Sequence, residues 1–300
     1  MSIGQIASFM TLSVFFSNSI VNILDLQPGI QESFAAIKRL FEVMNETSED
    51  NVVSKLVKNV VPRIEFKDVT FYYKKDRIIF NKLNINIKPG EWISFIGKTG
   101  CGKTTFTKLI LKLYKPQNGI ILWNNEDIQN LNTDSIRKSI AYVPQDIIIF
   151  SGTIFDNITM FDETISKDNV IETTKKVGIY EKISTLEKGF NTVIGERGFS
   201  LSGGERQKIA ICRALIKNPQ VIIIDEATSN LDTLSEKEFI SIIEQQKKEG
   251  KTIISITHRL STSKKCDKIY VLDNGNIVEE GNFYELKKKK GILFSMLNIC

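Results

Sequence analysis

Three glycines within twelve residues set the strongest constraint on this chain. "FIGKTGCGKTTF", residues 95–106, puts Gly97, Gly100 and Gly102 between an apolar run and a helix-forming one. The stretch fits G-x-x-x-x-G-K-[ST], with Gly97, Gly102, Lys103 and Thr104 at the fixed positions. Glycine lets the backbone curl so that several N–H groups aim at one anion, and the pattern cradles phosphate. Within it, Lys103 reaches the β- and γ-phosphates and the Thr104 hydroxyl faces Mg2+. A helix from Gly102 adds the positive end of its dipole. The context agrees: "EWISF" reads as a strand before the loop and "KTTFTKLILKLY" as a helix after it. A plain glycine-rich turn is the alternative reading.

The neighbouring strands decide what can converge on that loop. Residues 63–73, "RIEFKDVTFYY", alternate apolar and polar as an edge strand does, and "NINI" (84–87) and "WISFI" (92–96) continue a sheet. "PQVIIIDE" (219–226) is a short apolar run ending in two acids, the pattern of a strand buried on both faces. In α/β sheets the ligand sits beyond the carboxyl ends of the strands, where Asp225 and Glu226 fall. An acid there can hold Mg2+, and a second can orient or deprotonate an attacking water. A helix-capping acid pair is the alternative. "KTIISITH" (251–258) is another buried strand and brings His258, the one histidine of the chain, to the same edge, in a functional or a structural role.

A second anion reader follows from "LSGGERQ", 201–207. Ser202 with Glu205 three residues on is a capping box, so a helix starts here and runs through "RQKIAICRALIKN". Gly203 and Gly204 expose the N–H groups of that start. The first loop already encloses one face of a nucleotide. A second reader makes sense if it serves the nucleotide of another subunit.

Charge and cysteine usage exclude some classes. The net charge of +5 is spread over the chain and makes no case for nucleic acid. Cys101, Cys212, Cys266 and Cys300 lie far apart with no C-x-x-C, so neither a zinc site nor a disulfide framework is expected, and a reducing compartment fits. "KKKK" at 287–290 reads as a solvated helix end, with lipid contact as the alternative.

The first fifty residues read differently. From Ile3 to Leu24 no residue is charged, a run of 22 that is close to the ~20 of a membrane-spanning helix. Polar residues such as Gln5, Ser8, Asn18 and Asn22 interrupt it, which suits a helix packed inside a membrane bundle. A buried core helix of a soluble protein is the alternative. The first basic residue is Lys38, which argues against a secretory signal; with Arg39 it puts the C-terminal side in the cytoplasm. After Leu24, apolar residues at Ile30, Phe34, Ile37, Leu40, Phe41 and Met44 recur at helical spacing, and residues 46–61 read as a polar linker. A single span makes little of a transporter, so the reading implies the tail of a longer chain.

Across residues 62–300 the sequence resembles the nucleotide-binding domain of ATP-binding cassette transporters. Besides the loop at 97–104 and "VIIIDE", it carries "LSGGERQ" at the expected separation and "SNLD" (229–232) directly after "VIIIDEAT". "AYVPQD" matches the segment that carries Gln145, "THRLST" the switch histidine His258, and "VTFYY" the aromatic Tyr73 that stacks on adenine. "TVIGERG" (192–198) and "FSGTIFDNI" (150–158) are in the exporter style. Lys208 and Cys212 stand where the family usually has Arg and Ala, and Cys101 is unusual in the loop. Residues 1–50 resemble, more loosely, the last membrane helix of exporters that carry a cysteine peptidase and secrete bacteriocin-like peptides, through "IGQIASF", "LQPGIQES" and "RLFEVMNE". Multidrug, lipid and protein exporters share parts of the pattern.

The resemblance implies an α/β fold: a P-loop NTPase core of mostly parallel sheet, an antiparallel β subdomain and a helical signature subdomain, behind an N-terminal membrane segment. It implies three regions: the end of a transmembrane domain (1–50), a linker (51–61) and the nucleotide-binding domain (62–300) at the cytoplasmic side of the cell membrane. ATP and Mg2+ are the implied cofactors. Tyr73, Gly97, Lys103 and the N–H groups of Gly100, Cys101, Gly102, Thr104 and Thr105 would hold ATP, with Thr104, Gln145 and Asp225 on Mg2+. Glu226 would be the general base and His258 would steady the γ-phosphate. Ser202, Gly203 and Gly204 would act from a second domain, an identical one in this reading, with Asp232 linking the two sites. The other implied partners are the coupling helices of a membrane domain and an exported substrate, and the implied reaction is ATP hydrolysis coupled to export. A soluble cassette ATPase and an importer subunit are the rival classes; the fused span and "TVIGERG" speak against them.

Overall fold

The computed structural model describes residues 3–45, 55–195, 201–227, 233–257 and 259–297. The chain divides into two units, Met1–Val52 and Val53–Cys300. In the first unit a single helix, α1 (Ile3–Met44), runs for 42 residues, about 63 Å at 1.5 Å per residue. The uncharged run to Leu24 and the helical spacing beyond it fall in this one helix, which continues through Pro28. Proline there forfeits one backbone N–H but does not end the helix. The helix is long and apolar enough to cross a membrane by length and composition. Its polar interruptions are partly satisfied within the helix, since the hydroxyls of Thr11, Ser13, Ser19 and Ser33 donate to carbonyls four residues back. That lowers the cost of placing them in apolar surroundings.

The second unit is an α/β fold with three parts. Strands β1 (Ile64–Lys74) and β2 (Arg77–Ile87) pair antiparallel. After β3 (Trp92–Gly97) and α2 (Lys103–Ile110), β4 (Asn118–Trp123) and the short β5 (Glu126–Asp127) complete a four-stranded sheet in the order β2-β1-β4-β5. Helix α3 (Thr133–Ser139) leads into β6 (Ile140–Val143). A mainly helical part follows: the two-residue β7 (Gly152–Thr153), α4 (Ile154–Thr159), α5 (Lys167–Val177), α6 (Tyr180–Ser184), β8 (Val193–Ile194) and α7 (Gly203–Leu215). The chain then alternates strand and helix: β9 (Val221–Asp225), α8 (Thr233–Lys248), β10 (Thr252–Ile256), α9 (Leu260–Ser263) and β11 (Lys268–Asp273). Strand β12 (Asn276–Gly281) and helices α10 (Phe283–Lys289) and α11 (Ile292–Leu297) close the chain.

The main sheet has the order β12-β11-β3-β10-β9-β6, parallel except for β12. Its central strands feed two cores in alternation. Ile223, Ile254 and Ile256 pack with the antiparallel sheet and α2, while Ile222, Ile224 and Ile253 pack with the helical part. A strand with a core on each face must be apolar at every position, as "VIII" is. Aromatic rings tie the layers together. Phe106 of α2 stacks on Phe66 of β1 at 4.6 Å and meets Phe95 of β3 at 4.3 Å, and Phe95 stacks on Tyr270 of β11 at 5.4 Å. These contacts set the position of the helix that begins at Lys103.

Three local expectations are corrected. Strand β1 is not at an edge but between β2 and β4, and its alternation reflects one buried face. Residues 84–87 and 92–96 belong to different sheets, separated by a turn in which Glu91 N–H donates to the Lys88 carbonyl and the Glu91 carboxylate accepts from Lys88 N–H. Helix α2 stops at Ile110, short of Tyr114, because Lys112 turns left-handed (φ 53°) while Leu113 N–H returns to the Lys108 carbonyl.

Removing side-chain volume from the strand shared by both cores should be costly. Ile223→Ala is expected to destabilise the fold by about 2–5 kcal/mol. Trp92 and Trp123 fluorescence in a denaturant titration reads this directly, and a midpoint equal to wild type would contradict two-sided burial of β9.

Candidate functional site

Strand β3 ends at Gly97, and the chain must reverse into α2 within five residues. Two glycines permit this for different reasons. A Cβ on Gly97 would lie 2.3 Å from the Leu272 carbonyl oxygen of β11, so the close approach admits no side chain. Gly102, the residue before α2, has φ 112° and would drive a Cβ to 2.7 Å from the Phe80 ring. Lys103 is buried in the resulting loop, and its ammonium donates to the carbonyls of Gly97 (2.6 Å) and Lys98 (3.1 Å).

The loop opens on a cleft of about 700 Å³. Gly100, Gly102, Lys103, Thr104 and Thr105 line it from the loop and α2, Asp225 and Glu226 from the end of β9, Gln145 from the segment after β6, and Tyr73 from β1. The cleft thus gathers nine of the residues named from the sequence. Gly97 lies in the inner turn, and Cys101 faces a separate cavity of about 350 Å³ with Lys98 and Asp273. His258 and Asp232 lie outside the described residues, as do 196–198 of "TVIGERG".

Asp225 is 5% exposed. Burial pushes its carboxyl above the usual carboxylate range, against the opposing pull of hydrogen bonds from the Tyr142 and Thr104 hydroxyls. The Tyr142 hydroxyl donates to Asp225 Oδ2 at 3.0 Å, and burial beside that acid pushes the phenol up. Glu226 follows with a left-handed backbone (φ 48°), sparsely populated for a side-chain-bearing residue, and its N–H donates to the Ile256 carbonyl at 2.8 Å. Among the described residues no three His, Cys, Asp or Glu side chains converge as a metal centre. The paired Thr104 hydroxyl and Asp225 carboxylate are hard oxygen donors, which fits Mg2+ completed by phosphate and water rather than a protein cage.

Tyr73 is half exposed, its hydroxyl 3.1 Å from Thr105 Oγ1, its ring set edge-on to Phe71 and Tyr114. The ammonium of Lys108 sits 5.7 Å from its centre. The ring is thus held by two aromatic neighbours and has a cation over it.

Ser202 caps α7 as the sequence implied: its hydroxyl accepts from Glu205 N–H at 3.3 Å, and the Glu205 carboxylate accepts from Ser202 N–H at 2.8 Å. Burial pushes Glu205 up, but these bonds and Lys182 outweigh it and hold the acid below its ordinary range. Ser202, Gly203 and Gly204 stand at the start of α7 and are not among the residues lining the 700 Å³ cleft. Within one chain the two glycine-bearing readers do not meet on that cleft.

Two contacts escaped sequence reasoning. Gln207, buried on α7, donates to the Ala227 carbonyl just past Glu226. Tyr142 reaches Asp225 across 83 residues of chain. A hydroxyl-bearing aromatic three residues before Gln145 was the only available hint. A second groove of about 510 Å³ lies along Tyr142, Pro144, Ile147 and Phe150, with Arg137, Lys138 and Arg213 among its cationic residues. Arg213 braces this wall: it donates to the backbone carbonyl and side-chain oxygen of Asn157, both at 2.6 Å, and lies over the Phe150 ring.

Comparison with known proteins places this geometry. The family model described as "ABC transporter" matches residues 80–229, half of the chain. The chain is 40% identical over 299 residues to the exotoxin translocation ATP-binding protein PaxB of Pasteurella aerogenes, covering 99% of this chain and 42% of that protein. It is 39% identical over 300 residues to the toxin RTX-III translocation ATP-binding protein of Actinobacillus pleuropneumoniae, with the same shares covered. The chain thus spans about two-fifths of the length of these relatives. A solved bacterial Atm1-family ABC exporter with ATP bound superposes with a TM-score of 0.81 at 35% identity, over 90% of this chain and 47% of that one. With the glycine loop, the acid-ended strand and the capped α7 arranged on one parallel sheet, and the family model matched across them, the chain belongs to the ABC transporter family.

Proposed function

We propose that residues 62–300 are a nucleotide-binding domain that hydrolyses ATP as one of a pair, and that residues 1–50 end a membrane domain moved by that hydrolysis, joined through the linker 51–61. One observation carries the reading: Lys103, Thr104, Asp225 and Glu226 converge on a single cleft of about 700 Å³. Lys103 trades the Gly97 and Lys98 carbonyls for phosphate oxygens. The N–H groups from Gly100 to Thr105 wrap the phosphates, and Tyr73 stacks on the base. Thr104, Gln145 and Asp225 would hold Mg2+, which would supply positive charge against the charge developing on the phosphates. Glu226 takes a proton from the attacking water, and His258 steadies the γ-phosphate.

The second half of each site comes from a partner domain. Ser202, Gly203 and Gly204 present N–H groups and a hydroxyl to the partner's nucleotide, and Asp232 links the two sites. The absence of Ser202, Gly203 and Gly204 from the lining of their own chain's cleft supports this division. ATP then favours the closed pair because only the closed form completes the site, and hydrolysis reopens it. The groove along Ile147 and Phe150 receives a short coupling helix of the membrane domain; its apolar wall and basic rim support that contact. The exported substrate is a polypeptide, a reading supported by relatives named for toxin translocation. The whole assembly sits in the cell membrane with this domain on the cytoplasmic side.

Glu226→Gln should keep nucleotide binding and slow steady-state hydrolysis by about 10²–10⁴-fold, the usual worth of a general base. Phosphate release at the wild-type rate would move the base elsewhere.

The shared site has its own test. One protomer carries Lys103→Ala and the other Ser202→Phe, both on a Glu226→Gln background. Each homodimer has two damaged sites, whereas the mixed dimer gathers both lesions in one and leaves the other intact. Mixing should restore occlusion of labelled ATP at one site per dimer. If crosslinked heterodimers occlude no more than either homodimer, Ser202 does not read the partner's nucleotide.

A further inference from the structure

The acid at the end of β9 is held by a residue of "AYVPQD" to which the proposed reading gives no role. Tyr142 lies on β6, in register with Ile223 of the neighbouring β9. From there its hydroxyl reaches past the strand end and donates to Asp225 Oδ2 at 3.0 Å. The side chain has two environments. Its hydroxyl end touches the acid of the cleft, while its ring, in a residue 37% exposed, forms part of the wall of the 510 Å³ groove beside Pro144 and Ile147.

Asp225 has two oxygens and a broad terminal torsion, so nothing intrinsic to the side chain decides which oxygen faces the cleft. Two hydroxyls reach it, those of Thr104 and Tyr142. Thr104 is the residue that turns to the cation in the proposed reading, and its bond to the acid changes when it does. Tyr142 lines the groove rather than the 700 Å³ cleft, so its bond to Oδ2 is free to persist. A fixed donor on one oxygen sets the carboxylate plane and leaves the other oxygen for the cation shell. A carboxylate that binds a metal needs its orientation held by a neighbouring donor in this way.

We propose that Tyr142 is a positioning residue for the cation site: its hydroxyl fixes the Asp225 carboxylate in the orientation that receives Mg2+. The inference rests on the reading that Asp225 helps hold Mg2+ with ATP.

The test compares the full 300-residue chain in detergent with its Tyr142→Phe variant, which keeps the ring and loses only the hydroxyl. Calorimetric titration with ATP is run in EDTA and over a series of Mg2+ concentrations. In EDTA the two proteins should bind ATP equally. The Mg2+ concentration giving half of the Mg2+-dependent tightening should rise by about 3- to 10-fold in the variant, the worth of one hydrogen bond. In an Asp225→Ala background the same substitution should change nothing further, because the acceptor of the tyrosine hydroxyl is gone. Equal Mg2+ response in wild type and Tyr142→Phe overturns the proposal, and so does an equal loss of affinity with and without Mg2+, which marks a merely structural tyrosine. A wild-type protein indifferent to Mg2+ overturns the reading of Asp225 and the proposal with it, so the two failures are distinct.

Discussion

Four parallel strands share one register, and the rest of the domain depends on it. Phe95 of β3 pairs with Ile256 of β10, Ile256 with Asp225 of β9, and Ile224 of β9 with Val143 of β6. The chain therefore leaves all four strands near one level, and everything chemical sits in the loops that depart there. The register is fixed from both sides, because a slip by one residue would turn every isoleucine of "VIII" into the wrong core and swing Asp225 away from Thr104. Burial on two faces, which looks like a matter of stability alone, is thus also what aims the acid.

The parts of this arrangement that could be read from the sequence are those whose partners are close in the chain. The glycine loop closes on itself within seven residues of Gly97, and Ser202 and Glu205 cap α7 three residues apart, so pattern and contact coincide. An unbroken apolar run bounded by turn residues also announced β9. What could not be read lies in contacts between distant segments. Nothing in "NINI" or "WISFI" says that a turn at 88–91 passes the chain from one sheet to another, since both are apolar strands with a buried face. Strand β1 looked like an edge because alternation reports one solvated face, not the number of neighbours. Tyr142 and Gln207 fall inside "AYVPQD" and "LSGGERQ", yet their contacts could not be read, because each acts on a backbone or carboxylate elsewhere in the chain.

The polar atoms of the cleft are held mainly by the chain itself. Asp225 takes bonds from two hydroxyls, the Tyr73 hydroxyl meets that of Thr105, and the start of α7 is closed by its own serine and glutamate. Such mutual satisfaction keeps side chains in place without a ligand, and it lowers the reorganisation needed when one arrives. The exporter-style segment is braced in the same manner, with Thr153 and Asp156 forming a second capping box and Arg213 bound to Asn157.

The self-bonded lysine has a consequence for discrimination. Because the Lys103 ammonium already commits two of its three N–H donors to carbonyls, a newcomer must replace those bonds to engage it fully, not merely approach a bare cation. A ligand that offers a single weak acceptor exchanges one dipole for another and gains little. One that presents several anionic oxygens at once replaces both carbonyls with charge and also engages the N–H groups of the loop, so its gain compounds. The loop therefore grades ligands by density of negative charge before any contact with a base or sugar is made, and lone monoanions are poor competitors for it.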